Sequence, residues 1–155
     1  MTLRISAFAA LVSLSLFSTN TAQARESIHM AYHPSISPDG SQIIFTWQGD
    51  IWSASSEGGA AHRLTTHPAM EFSPHFTPDG KSICFNSTRE GKYQVFTMPS
   101  TGGTARQLTF HSEGSILQDI APEGESILTE AIRDHSGSRP YRLYRAVSYT
   151  HLRAH

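Results

Sequence analysis

Three observations in the 155-residue sequence predict an all-β fold. Proline-containing turns recur at regular spacing, short apolar runs lie between them, and no segment after the first 24 residues holds a 3.6-residue apolar period. Ser37-Pro38-Asp39-Gly40 returns as Thr77-Pro78-Asp79-Gly80 and again as Ala121-Pro122-Glu123-Gly124, in steps of 40 and 44 residues. Four short strands per unit of that length predict a partial β-propeller: about three four-stranded antiparallel blades of a larger ring.

Each element of the repeat has a physical reason. Proline presets φ for a reversal, and Asp-Gly tolerates the left-handed backbone that a tight turn requires. The runs after the turns are Ile43-Ile44-Phe45, Ile83-Cys84-Phe85 and Ile127-Leu128, suited to half-buried strands. A polar–aliphatic–aromatic triplet follows in each unit: Asp50-Ile51-Trp52, Gln94-Val95-Phe96 and Arg142-Leu143-Tyr144. Its aromatic residues are expected in the core between blades. The first two units then reach Gly58-Gly59 and Gly102-Gly103, followed by Leu64-Thr65 and Leu108-Thr109. The expected blades span about 28–66, 67–110 and 111–146, within a propeller region of 25–146. A closed ring needs four to eight blades, so three would leave strand edges and blade faces open to association.

The two ends read differently. Residues 1–24 carry Arg4, an apolar stretch over Ile5–Phe17 and Ala22-Gln23-Ala24, the pattern of a secretory signal peptide. The expectation is export to the periplasm or beyond, with no membrane span once the leader is cleaved. Residues 147–155 break the repeat pattern in mid-unit and are expected to be a non-native tail. His151 and His155 are therefore poor metal ligands despite their i, i+4 spacing.

Composition narrows the function. A net charge of −1 gives no basic field for nucleic acid, so no nucleic-acid partner is expected. One cysteine excludes an intrachain disulfide framework, and Cys84 in its apolar run reads as a small buried hydrophobe. Nine histidines are present, but none forms a His-Glu-x-x-His pairing. His67 and His111, each three residues after the leucine of Leu-Thr, are expected to cap turns. Asp39, Asp79 and Glu123 are expected to bond their own turns. Asn86-Ser87-Thr88 fits a glycosylation sequon but sits beside a strand, where it is incidental. No Gly-x-Ser-x-Gly elbow and no phosphate loop occurs. No residue is assigned a catalytic, cofactor-binding or metal-ligating role, and no cofactor is expected.

All length variation in the repeat falls between the second and third strands of each unit. That places recognition of a peptide or protein on one face, formed by Gln48–Gly49, Thr88–Lys92, Arg133–Pro140 and the connections His67–Phe72 and His111–Gly114. The opposite face carries the Asp-Gly and Gly-Gly turns.

Several longer strings carry a resemblance. Ser35–Gly40, Gly49–Trp52, Arg63–Pro68 and Phe76–Lys81 look like TolB-type propeller repeats. Val95–Pro99 with Gly102-Gly103, then Gln107–His111, resembles the amino-terminal propeller of tricorn-like serine peptidases. The resemblance covers 28–146. It implies a long parent chain with one or two propellers, a PDZ domain and a carboxy-terminal serine peptidase core, the propeller guiding or gating peptides. None of that family's catalytic motifs falls within these residues, and the third unit departs from the pattern with Glu123. A TolB-like periplasmic binding propeller without enzymatic activity is the alternative, although such proteins place an α/β domain before the propeller. A prolyl-oligopeptidase-like or amidohydrolase-linked propeller is the third reading.

Overall fold

The turn sequences fold as their chemistry dictates, and they set the register of everything else. A computed structural model describes residues 27–131 and 142–147. The leader, Arg133–Pro140 and residues 148–155 lie outside the described residues. The first sheet contains β1 (Tyr32–Ile36), β2 (Gln42–Trp47), β3 (Asp50–Ser55) and β4 (His62–Arg63), in that spatial order. The second repeats it with β5 (Glu71–Phe76), β6 (Ser82–Glu90), β7 (Lys92–Pro99) and β8 (Arg106–Gln107). The third contains β9 (Ile116–Ile120), β10 (Ser126–Ala131) and β11 (Arg142–Val147). Every neighbouring pair is antiparallel, as in the expected partial propeller. Among the described residues the third sheet has three strands, one fewer than expected. Val147, read from the sequence as the first residue of the tail, is the last residue of β11 and pairs with Ser126.

The β1–β2 turn is held by its own side chains. Ser37 Oγ donates to Asp39 Oδ1 at 2.6 Å, Asp39 Oδ1 accepts the Ser41 N–H at 3.0 Å, and Ser37 Oγ accepts the Gln42 N–H at 2.9 Å. These bonds hold the exposed Asp39 carboxyl at a pKa of about 2. Thr77 and Asp79 reproduce the arrangement in the second unit, at 2.7 Å between Thr77 Oγ1 and Asp79 Oδ1. In the third unit Ala121 has no hydroxyl. There Ser126 supplies it, and Glu123 is held by Arg145 at 2.9 Å.

Because strands alternate faces, each sheet packs forward with one set of side chains and backward with the other. Ile44 and Ile51 of the first sheet meet Phe76, Ile83, Phe85, Phe96 and Met98 of the second. Cys84 and Val95 of the second meet Leu117, Ile120 and Ile127 of the third. Fully burying side chains of this size contributes about 1.5–3 kcal/mol each, so the two clusters hold the sheets together. Phe96 lies in this core as expected, whereas Trp52 is half-buried on the outer face of the first sheet and Tyr144 is half-buried. Cys84 is completely buried, and loss of solvation pushes its thiol up to about 12. Asn86 of the sequon is also completely buried.

Candidate functional site

The hairpins between second and third strands lie beside the connections that enter each next sheet. Gly49 O accepts the Glu71 N–H at 2.8 Å, Met70 O accepts the Thr88 N–H at 3.2 Å, and Tyr93 O accepts the Ser115 N–H at 2.7 Å. Gly114 follows Tyr93 so closely that a Cβ there would stand 2.8 Å from the Tyr93 carbonyl oxygen, and its φ is +88°. Only glycine fits that approach. Four of the loops expected to share a face therefore do so.

Leu-Thr builds the foundation of this face. Thr65 Oγ1 accepts the Ile51 N–H at 2.9 Å, and Thr109 Oγ1 accepts the Val95 N–H at 2.9 Å. Each threonine thus closes the first turn beyond the fourth strand onto the start of the third. The residue before the aliphatic one completes the arrangement differently in each sheet. Asp50 accepts from Arg63 at 2.5 Å in the first, while Gln94 accepts from Thr109 at 2.7 Å and donates to the His111 carbonyl in the second. His67 Nδ1 accepts the Ala69 N–H and His111 Nδ1 accepts the Glu113 N–H, so both histidines cap their own loops.

The insertion at Thr88–Lys92 is not a loop. Strands β6 and β7 run on to Glu90 and Lys92, with Gly91 at the tip and an irregularity between Ser87 and Glu90. The extra residues add ladder rather than coil. Arg89, within this extension, donates through Nε to the completely buried Glu71 Oε1 at 2.8 Å and through Nη2 to the same oxygen. Its guanidinium also lies 5.3 Å from the Phe96 ring centroid. One charge-assisted pair therefore fixes the hairpin to the entry of the same sheet.

An aromatic row on this face went unread in the sequence. Tyr32 meets His33 at 5.1 Å between ring centroids, His33 meets Phe72 at 5.9 Å, and Phe72 meets Tyr93 at 5.3 Å. Tyr32, Met70, Tyr93 and Phe110 are all exposed here. A signal existed: Tyr32 and Phe72 are 40 residues apart, and each precedes an x-Pro pair. His33 and Ser73, the residues between, both have left-handed backbone, with φ of 50° and 52°. The row offers ring edges and hydroxyls suited to peptide side chains.

The opposite face is less suited to a ligand. A cleft of about 470 Å³ opens there between the first two turns, lined by Pro38, Asp39, Asp79, Lys81, Ser100 and Thr101. Its carboxylates are already engaged by their own turns. Among the described residues no group of three or more His, Cys, Asp or Glu is placed to hold a metal ion.

Comparison with known proteins agrees with this architecture. The model of the tricorn protease N-terminal beta propeller domain matches residues 28–153. Tricorn protease homolog 1 of Streptomyces coelicolor is 36% identical over 62 residues, which are 40% of this chain and 6% of that protein. The Tol-Pal system protein TolB of Bordetella pertussis is 43% identical over 47 residues, 30% of this chain and 11% of that protein. Among solved structures, a protein from Agrobacterium tumefaciens described as TolB superposes with a TM-score of 0.65 at 26% identity, covering 74% of this chain and 44% of that one. The tricorn protease itself superposes with a TM-score of 0.55 at 17% identity, over 67% of this chain and 11% of its own, which shows the fold alone. The chain thus spans a small part of the curated relatives it matches. With its repeated turns, its inter-sheet cores and its match over 28–153, the chain belongs to the tricorn protease N-terminal beta propeller domain family.

Proposed function

We propose that this chain is the recognition propeller of an exported tricorn-like serine peptidase, which guides or gates peptides to a catalytic core elsewhere in its parent. The observation that carries this reading is the face just described. Four of the exposed large hydrophobic side chains, Tyr32, Met70, Tyr93 and Phe110, gather on it beside the hairpin that Arg89 ties to Glu71. The family match supports the peptidase parent. In this reading the propeller itself is non-catalytic, residues 1–24 direct export, and the site of action is the periplasm or beyond. Among the described residues no helix is long and apolar enough to cross a membrane.

The test is to sequence the parent gene beyond the codon for Arg145 and assay the full product on fluorogenic peptides. A frame that continues through further Gly-Gly and Leu-Thr units into a serine peptidase region, with activity lost on replacing its serine, supports the proposal. A frame that stops after one closed ring contradicts it. That outcome would favour a second reading, a periplasmic protein-binding propeller, for which the similarity to TolB of Bordetella pertussis speaks.

A further inference from the structure

The aromatic row lies where the first and second sheets are already packed together, and its backbone setting decides how a peptide is held there. Tyr32 and Phe72 belong to β1 and β5, each at the edge of its sheet, where an incoming strand would add to the ladder. That route is closed at both positions. His33 and Ser73, the next residues, have left-handed backbone, and Pro34 and Pro74 follow without an N–H. The pairing register breaks at the same places, between Tyr32 and Ser35 and between Phe72 and His75. Proline and bulges are the means by which sheet edges refuse a further strand. A peptide on the row is therefore held through its side chains and not through a backbone ladder.

What remains for recognition is the rings themselves. Tyr32 is turned 67° from His33 and Phe72 is turned 80° from Tyr93, so the row offers both ring faces and ring edges. Tyr32 and Tyr93 add exposed hydroxyl donors, and Met70 adds apolar surface. The charges on the neighbouring hairpin are spent on each other. Arg89 is bonded to Glu71, while Glu90 and Lys92 are register partners across Gly91. This face suits an uncharged ligand that is apolar on its sides, offers carbonyl acceptors and needs no ladder.

A proline-rich segment in the polyproline II conformation meets each requirement. Proline has no N–H to satisfy, the backbone carbonyls of this helix stand free, and its preformed shape keeps the entropy cost of binding small. Residues three apart lie on one side of such a helix, about 9 Å from each other. Neighbouring rings of the row are 5.1–5.9 Å apart, so two such prolines would rest over alternate rings.

We propose that the hairpin face selects proline-rich segments in polyproline II conformation, seated across Tyr32, Phe72 and Tyr93. The inference rests on the reading of this face as the peptide-binding one, and is independent of the chemistry of the parent.

Fluorescence polarisation on the full chain, with three labelled peptides of equal length, tests it. One is built on Pro-x-x-Pro, the second has alanine for each proline, and the third is rich in valine and threonine, which favour an extended strand. Each also carries a photo-cross-linker. The proline-rich peptide should bind about tenfold or more tighter than either of the others. Added salt should change that affinity little, because no charge pair is made. This comparison uses the unaltered protein, so the folding of a variant does not enter. Tyr93→Ala should weaken the proline-rich peptide by about tenfold or more, and Tyr93→Phe, which keeps the ring, should cost less. Equal binding of the alanine peptide, or tighter binding of the valine-threonine peptide with cross-links at 88–93, would overturn the inference and leave this face as the peptide site. A Tyr93→Ala variant that binds as the parent does would overturn it too. Absence of cross-links from all three peptides to this face would overturn both the inference and the reading beneath it.

Discussion

Asn86 Oδ1 accepts the backbone N–H of Leu117 at 2.7 Å, joining β6, an interior strand of the second sheet, to β9, the first strand of the third. Both residues are buried, so the bond satisfies a donor that water cannot reach. Asn86→Ala should destabilise the fold by about 1–3 kcal/mol, because the Leu117 N–H would be left unpaired. Urea unfolding measures this, and a variant as stable as the parent would show that the bond contributes nothing. The same burial predicts that Asn86 carries no glycan when the chain is expressed in a glycosylating host, which intact-mass measurement checks.

Glu71 and Arg89 form the charged counterpart of that contact. Glu71 is completely buried, its Oε2 has no hydrogen-bond partner among the described residues, and its Oε1 accepts from Arg89. Removing only the cation leaves a buried carboxylate uncompensated, so Arg89→Ala should cost about 3–5 kcal/mol. Glu71→Gln with Arg89→Met should recover most of that loss, since no buried charge remains. Denaturation of the three proteins decides it: a double variant no more stable than Arg89→Ala would rule the explanation out.

Thr65 and Thr109 should behave alike but unequally. Each hydroxyl accepts a buried strand N–H, and Thr109 also donates to Gln94 at 2.7 Å, against 3.5 Å from Thr65 to Asp50. Replacement by valine should cost about 1 kcal/mol at Thr65 and more at Thr109. Equal losses would mean that the second bond is not formed in solution.

The repeat that places these threonines was legible in the sequence because each part is a local backbone demand. Pro-Asp-Gly, Gly-Gly and Leu-Thr act within a few residues, and they brought the hairpins to one face. The aromatic row was harder to read, since Tyr32, Phe72 and Tyr93 come from three strands and meet only once two sheets pack. The form of the Thr88–Lys92 insertion was also hidden. A length difference marks a site of change but does not distinguish coil from extended ladder. Nothing in the sequence beside Glu71 marks it for burial, and only the distant Arg89 explains why it is buried. The expected loop at Arg133–Pro140 lies outside the described residues.

His75 gives the fold a pH dependence. Burial lowers its pKa below the usual 6.5, with nearby His33 acting in the same direction and Asp119 opposing. An unfolded chain therefore binds the proton more readily than the folded one. The histidine's contribution is fully present above pH 6.5 and is lost as pH falls through the lowered folded value. His75→Gln should flatten the stability profile over that range. An unchanged slope in thermal melts between neutral and mildly acidic pH would assign the dependence to other groups.

Cys84 should be inert in the folded protein. Its thiol is pushed up to about 12 and is completely buried, so the thiolate that reacts with disulfide reagents is scarce and shielded. Ellman's reagent should titrate it only after denaturant is added. Rapid labelling of the native chain would place it at the surface.

The central claim is that peptides meet this propeller on the hairpin face and not on the turn face. Photo-cross-linking of an extended peptide library, followed by mass-spectrometric mapping, addresses it directly. The account predicts adducts at Tyr32, at residues 67–72, at 88–93 and at 110–114, reduced when Tyr93 is replaced by serine. Adducts confined to 38–41, 78–81 and 100–101 would contradict it.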